Sequence, residues 1–173
     1  LDHLEAEHPN CRSALDFALR VGRNQEGLDF AESLTPFWLR RGYLTEGRRW
    51  LGLFLDTAEG AERTDEADAL LAAGVLASAQ GDRPAARKLL DHSLDLFRAR
   101  DDERGVAQVL SALGGVPFDE HDYSQAEEVL RLALGTWQRL GEPDGIATAK
   151  YRLGSLARIQ ANYAEARSLL QDG

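Results

Sequence analysis

The stretch RLGSLARIQANYAEARSLL, residues 152–170, decides the fold because two earlier segments repeat its pattern. The pair Leu153-Gly154 lies 40 residues after Leu113-Gly114, which lies 40 residues after Ala73-Gly74. Three copies in register indicate an array in which each repeat is one supersecondary unit. The same offset aligns three alanines and three leucines: Ala86, Ala126, Ala166, Leu90, Leu130 and Leu170.

A more diverged copy precedes these three. The segment 42–47 lies 39 residues before the segment 81–86, which places Leu34, Trp38 and Leu51 at core positions. Before it, residues 10–19 are predicted to form a helix that belongs to a still earlier unit. The repeat pattern therefore extends over nearly the whole chain.

The recurring residues have physical roles in pairs of packed helices. A Gly inside a helix costs about 1 kcal/mol relative to Ala, so its recurrence predicts a close helix crossing at residues 74, 114 and 154. Asp82, Asp122 and Asn162 fall where a helix begins, and their side chains can accept hydrogen bonds from its free N–H groups. Apolar residues follow helical spacing and strand patterns are absent. The pattern predicts nine helices, near residues 3–21, 26–40, 45–57, 65–80, 83–99, 103–119, 123–140, 144–160 and 163–172.

Two prolines fall inside predicted helices. Pro36 and Pro117 each remove one helical hydrogen bond and crowd the preceding turn. We therefore expect a kink or an early helix end at each of them.

The pattern of Leu-Gly, then Gly-Asp-Tyr-x-x-Ala, then Leu four and eight positions later resembles the tetratricopeptide repeat. The usual period is about 34 residues, and the longer period here resembles the long-helix variety of bacterial signalling regulators. The resemblance covers about residues 28–173 and implies an all-α fold, a right-handed superhelical α-solenoid of antiparallel helix pairs. We expect a single solenoid over residues 1–173, with a leading helix at 1–21 and helix pairs at 26–57, 65–99, 103–140 and 144–172.

The N-terminal part carries a second resemblance. The stretches EAEHPNCRSAL (5–15) and RGYLTEGRRWL (41–51) resemble the segment that follows the nucleotide-binding module in large bacterial transcriptional regulators. These are the signal-transduction ATPases of LuxR or AfsR type, and we expect a cytoplasmic protein. The ATPase's own motifs are absent, so no nucleotide chemistry is implied. The chain has no Met and ends just after Leu169 and Leu170, so we expect a fragment of a larger protein.

Composition argues against several classes of protein. A chain that is 43% hydrophobic and contains only 5 Pro does not have the composition of a disordered protein. No apolar run approaches the roughly 18 residues of a membrane span, and the net charge of -9 argues against direct nucleic-acid binding. The one cysteine, Cys11, excludes an internal disulfide and suits a reducing compartment.

No motif for catalysis, cofactor binding or metal binding is recognised. The chain has no Gly-x4-Gly-Lys-Ser/Thr phosphate loop and no nucleophile motif. His3 and His8 lie five residues apart without a Cys or further His nearby, so we interpret them as solvated surface histidines rather than metal ligands. Carboxylates at predicted helix starts complement the helix dipole. We predict that the chain is not an enzyme and requires no cofactor and no metal.

The remaining distinctive side chains receive structural interpretations. The basic residues at 40–41 and 48–49 favour a solvated face or ion pairs between helices over nucleic-acid contact, because acidic residues lie nearby. The tryptophans Trp38, Trp50 and Trp137 are predicted to pack in the core or between repeats. Cys11 is predicted to pack as a small apolar residue.

Stacked helix pairs present a concave face lined mainly by the first helix of each pair. Such a face suits peptide, protein or effector recognition. We predict a protein-protein interaction or sensing module of a bacterial transcriptional regulator, whose partner is a protein, a peptide or another domain of the same chain. Two alternatives stay open: a small-molecule effector-binding domain, and a structural spacer that forms homo-oligomers through its uncapped ends.

Alignment of the repeats predicts which residues line this groove. An aromatic ring, hydrogen-bonding groups and two guanidiniums lie close together there, which suits an anionic or peptide-like partner. The open alternative is that the arginines pair with acidic residues of the chain such as Asp119. The predicted groove residues are Gln108, Ser111, Gly115 and Phe118 from one first helix and Tyr151, Arg152, Ser155 and Arg158 from the next.

Overall fold

A computed structural model describes residues 2–57, 66–116 and 123–171 of the chain. Within these ranges the ordered elements are α-helices, and no β-strand occurs. The all-α solenoid fold of antiparallel helix pairs that the repeats predict is confirmed. The helices are α1 (Asp2–Arg20), α2 (Asn24–Ser33), α3 (Thr35–Arg41), α4 (Leu44–Asp56), α5 (Glu66–Ala79), α6 (Arg83–Ala99), α7 (Glu103–Leu113), α8 (Tyr123–Leu140), α9 (Pro143–Ile159) and α10 (Tyr163–Gln171).

The predicted count of nine helices is wrong for the described residues, because the predicted helix 26–40 is two helices. Helix α2 ends at Ser33 and α3 begins at Thr35, with Leu34 between them. Pro36 lies in the first turn of α3, where its missing N–H does no harm. The helix end expected near Pro36 is therefore confirmed. Pro117 itself lies outside the described residues, but α7 ends early, at Leu113, as expected for a helix that approaches this proline.

The chain divides into two compact units, Leu1–Leu89 and Leu90–Gly173, and the division falls within α6. That the whole chain forms one continuous solenoid domain stays a prediction. Each unit has a core made by helices that follow one another along the chain.

In the first unit, α2 packs against α1 and α4, and α4 packs against α5. Trp38 and Phe54 are among the largest fully buried side chains, and both lie against glycines of neighbouring helices. A Cβ on Gly27 would overlap the Phe54 ring, and one on Gly47 would overlap Trp38. The absence of a side chain at these two glycines therefore lets bulky rings fill the core.

In the second unit, α7 packs against α8, α8 against α9, and α9 against α10. Two of the recurring glycines each contact the leucine that lies sixteen positions further along the chain. A Cβ on Gly114 would overlap Leu130, and one on Gly154 would stand 2.8 Å from the Leu170 Cγ. The predicted packing role of these glycines is confirmed. A second pair of glycines receives aromatic rings in the same way: Phe97 lies on Gly105, and Trp137 lies on Gly145.

The helix starts also follow the repeat. The backbone N–H of Ala85 donates to Asp82 Oδ1 at 3.2 Å, and the N–H of Glu165 donates to Asn162 Oδ1 at 3.4 Å. These contacts confirm two of the three predicted caps, and the third, Asp122, lies outside the described residues.

Candidate functional site

Helix α9 has one buried side and one side that exposes large side chains. Its buried residues are small or aliphatic, and they contact α8 and α10: Ala149, Leu153, Gly154, Leu156 and Ala157. On the opposite side, Tyr151 is 65% exposed and Ile159 is 63% exposed. Arg158 is exposed next to Ile159, and the half-buried Ser155 lies between them and Tyr151 at helical spacing. We call this side, formed by Tyr151, Arg152, Ser155, Arg158 and Ile159, the α9 face.

Arg152 lies at the edge of the α9 face, half-buried against the end of α7. Its Nη1 atom occupies the space that a Cβ on Gly115 would fill. Burial lowers the pKa of the Arg152 guanidinium. Within residues 2–57, 66–116 and 123–171, no carboxylate forms an ion pair with it. The structure thus brings two of the predicted groove residues, Gly115 and Arg152, into direct contact.

The structure places Ser111 differently from the predicted groove position. Ser111 is buried, its hydroxyl donates to the Ala107 carbonyl oxygen at 2.8 Å, and it accepts from Trp137 Nε1 at 3.0 Å. A buried indole N–H requires an acceptor, and Ser111 provides it. Ser111 is therefore a packing residue between α7 and α8, whereas Gln108 on the same helix is exposed.

Two other residues of the groove hypothesis cannot be placed. Phe118, a predicted groove residue, and Asp119, the proposed internal partner of the arginines, both lie outside the described residues. The described part of the predicted site consequently consists of Gln108, Gly115 and the α9 face.

The interpretation of His8 as a solvated surface residue is wrong. His8 is only 5% exposed, and its ring lies against Phe37 and Tyr43 with centroid distances of 5.1 and 4.4 Å. Its Nε2 atom lies 3.1 Å from Glu46 Oε1. The two rings and the carboxylate come from α3, α4 and the turn between them, so the burial depends on residues distant in sequence.

Glu46 links α1 to α4 through a second contact. Arg12 Nε donates to Glu46 Oε1 at 2.8 Å, and Arg12 Nη2 donates to the other carboxylate oxygen. These hydrogen bonds, followed by the charge of His8, lower the pKa of Glu46, although burial opposes the shift. We call the set His8, Arg12 and Glu46 the α1–α4 cluster.

The basic residues of the first unit take part in internal contacts. Arg41 Nε lies 3.2 Å from Glu5 Oε2, and Arg48 Nη2 donates to Asp82 Oδ2 at 2.9 Å. Arg49 lies over the Trp50 ring at 5.2 Å. The contacts of Arg41 and Arg48 agree with the interpretation of ion pairs between separate elements, whereas Arg49 contacts a neighbour in its own helix and Arg40 is exposed. The burial of Trp38, Trp50, Trp137 and Cys11 is confirmed as well.

In the described part of the chain, no group of three or more His, Cys, Asp or Glu side chains is arranged to hold a metal ion. None of the helices described has the length and hydropathy that a membrane crossing needs.

Comparison with known proteins supports the fold. Residues 105–173 match the family model described as Tetratricopeptide repeat, a range that contains most of α7 and all of α9. The crystal structure of BtubC (BKLC) from P. vanneervenii superposes with a TM-score of 0.75 at 17% sequence identity, over 96% of this chain and 70% of that one. No curated protein matches the sequence. These findings define the class as an α-solenoid, and residues 105–173 are similar to the tetratricopeptide repeat.

Proposed function

We propose that this protein is a protein-protein interaction or sensing module that binds its partner through the α9 face. The observation that carries the proposal is the exposure of Tyr151 and Ile159 on one side of α9, with Arg158 beside them. A single exposed apolar residue is ordinary, but a cluster with polar neighbours marks an interaction surface. Tyrosine and arginine are also the residues that dominate binding energy at protein interfaces.

The position of the face within the fold supports the same conclusion. The α9 face belongs to the part of the chain that matches the tetratricopeptide repeat, and helical-repeat arrays commonly bind proteins or peptides on extended surfaces. Arg152 and Arg158 favour an anionic partner, because a guanidinium can hold a carboxylate through two parallel hydrogen bonds.

The larger protein that we propose is a bacterial transcriptional regulator of the signal-transduction ATPase type. The support is the resemblance of residues 5–15 and 41–51 to the segment that follows the nucleotide-binding module in such regulators. In that setting the partner is a separate protein or another domain of the same chain.

The alternative of an oligomerisation spacer rests on Leu169 and Leu170. Leu169 packs against the internal core of the second unit, and Leu170 lies over Gly154 while remaining 45% exposed. Since both leucines already contact their own unit, they offer less apolar surface to a second copy than the sequence suggested. The α9 face is therefore the preferred interaction surface.

The test is site-specific photo-crosslinking followed by a binding measurement. A photoreactive phenylalanine analogue replaces Tyr151 or Ile159 in the full-length protein within its own cells, and a matched control places it at Leu132, which is similarly exposed on α8. We expect one partner to be captured at both α9 positions and not at the control.

The captured partner is then purified and titrated against a Tyr151→Ala/Arg158→Ala variant. We expect affinity to fall about tenfold or more, as for other interface Tyr and Arg residues, and Leu132→Ala to leave it unchanged. Equal affinities for wild type and a folded double variant would refute the proposal.

A further inference from the structure

We infer that Arg152 is a receptor for one oxyanion, a carboxylate or phosphate group of the partner, and that Gly115 is the residue that positions it. This inference rests on the proposed function, because it names the chemistry that the α9 face recognises. Three observations lead to it: the half-burial of Arg152, the absence of a carboxylate partner within residues 2–57, 66–116 and 123–171, and the contact of the guanidinium with Gly115.

The charge of Arg152 is not neutralised by the described chain. Taking a charge out of water is costly unless the charge is paired and hydrogen-bonded. The half-buried Arg48 of the first unit follows this rule, since it forms an ion pair with Asp82. Arg152 has no such partner among the described residues, although the chain has a net charge of -9. An anion from outside would supply the missing pair.

The guanidinium lies against Gly115, beside a backbone that carries only a partial charge. Gly115 follows the C-terminal end of α7, and the Ala112 carbonyl oxygen lies 3.3 Å from the point where a Gly115 Cβ would stand. The C-terminal end of a helix carries a partial negative charge that favours a nearby cation. This partial charge is smaller than that of a carboxylate, so the guanidinium keeps the capacity to bind an oxyanion through two N–H groups.

Gly115 acts by leaving space rather than by contacting the partner. Any side chain there would overlap Arg152 Nη1, so the guanidinium would have to shift from its present position. The backbone at Gly115 does not require glycine, since it is not among the residues with positive φ. An alanine substitution at Gly115 thus tests the position of Arg152 with little other disturbance.

The first experiment follows the arginine Nε–Hε signals of the 15N-labelled chain by NMR during titration with inorganic phosphate and, separately, with acetate. We expect a saturable shift of the Arg152 signal, with a midpoint about tenfold or more below that of the exposed Arg167. The ratio of the phosphate and acetate midpoints tells which oxyanion the site prefers. Equal midpoints at Arg152 and Arg167 would mean an adventitious ion only, and would overturn the inference.

The second experiment is a double-mutant cycle. Gly115→Ala is expected to raise the phosphate midpoint about fivefold in the wild-type background and less than about twofold in an Arg152→Lys background, because coupled residues are not additive. Gly135→Ala is the matched control, since Gly135 lies in a helix with nothing near its missing Cβ. An unchanged midpoint in a folded Gly115→Ala variant would contradict the positioning role.

The third experiment tests an internal counter-ion. If Asp119 neutralises Arg152, then Asp119→Asn will move the Arg152 signal and lower the phosphate midpoint more than about tenfold, and that result overturns the inference. The outcomes also separate this inference from the proposed function. If a partner requires Tyr151 and Arg158 but does not shift the Arg152 signal, only the proposed function is supported. If phosphate binds at Arg152 but no such partner is found, only the anion site is supported.

Discussion

The α1–α4 cluster and the α9 face use charged residues in opposite ways. In the cluster, one carboxylate, Glu46, is contacted by both His8 and Arg12 and ties two helices of the first unit together. On the α9 face of the second unit, Arg158 stands in solvent and Arg152 is half-buried without a carboxylate among the described residues. From this contrast we expect the charges of the cluster to contribute to stability and those of the α9 face to remain available for a partner.

The largest expected effect comes from removing Glu46. In Glu46→Ala the buried His8 loses its hydrogen-bond partner and Arg12 loses its carboxylate, so the free energy of unfolding should fall by about 1–3 kcal/mol. Urea denaturation followed by circular dichroism measures it. The control Glu103→Ala removes an exposed contact with Arg139 and should change stability by less than about 0.5 kcal/mol. Equal losses in the two variants would break the comparison.

The same carboxylate predicts a dependence of stability on pH. Its pKa is lowered in the folded state by the hydrogen bonds from Arg12 and by the charge of His8. The stabilisation is therefore present above the unfolded carboxyl pKa of about 4.3 and is lost as pH falls through the lower folded value. The difference in unfolding free energy between wild type and Glu46→Gln should shrink as the medium is acidified from neutral pH. A difference that stays constant would contradict this expectation.

At Arg152 the sign of the effect should be reversed. Arg152→Met keeps most of the side-chain packing and removes a half-buried charge that has no carboxylate partner among the described residues. The free energy of unfolding should therefore stay unchanged or rise by about 0.5–1 kcal/mol. Thermal and urea unfolding measure the change. The matched control Arg48→Met breaks an ion pair with Asp82 and should lower it by up to about 1 kcal/mol. A clear loss at Arg152 would mean that its charge is already paired.

The smallest effect on stability is expected at Arg158. Because this side chain is exposed and has no described partner, Arg158→Ala should change the free energy of unfolding by less than about 0.5 kcal/mol. Its affinity for the captured partner should nevertheless fall, which calorimetric titration measures. If the Arg158→Ala variant loses stability but keeps its affinity, Arg158 stabilises the fold and does not bind the partner.

The repeat predicts the fold and the glycine packing because both depend on local spacing. Gly114 and Gly154 recur at one register, and a costly residue that recurs must have a packing partner. The sequence could not predict the burial of His8, since the rings that cover it lie about thirty residues away in other helices. Ser111 was misplaced because its helical phase, which turns it toward Trp137, depends on how α7 meets α8.

The contact between Gly115 and Arg152 was equally beyond the sequence. It depends on the end of α7 at Leu113, an early end of the kind expected from Pro117, and on the Arg152 side chain that fills the space beside Gly115. In a longer helix, Gly115 would lie within a regular helical turn. The repeat alignment also gives no reason to expect a direct contact between Gly115 and an arginine of the next repeat.

The aromatic-on-glycine contacts have a consequence for exchanging or recombining repeats. Phe97 rests on Gly105 and Trp137 rests on Gly145, so each joint takes its ring from the end of one helix and its glycine from the start of the next. A graft cut between helix pairs therefore passes through a joint, and each new junction combines the ring of one repeat with the glycine of another. Both joints place a glycine opposite the ring. A transplanted repeat that ends in Phe or Trp at the ring position should therefore pack on its new neighbour, whereas a repeat with a larger residue at the glycine position should not. The transferable module accordingly begins at the glycine and ends at the ring, and a designer of hybrid arrays would place the cuts by that rule.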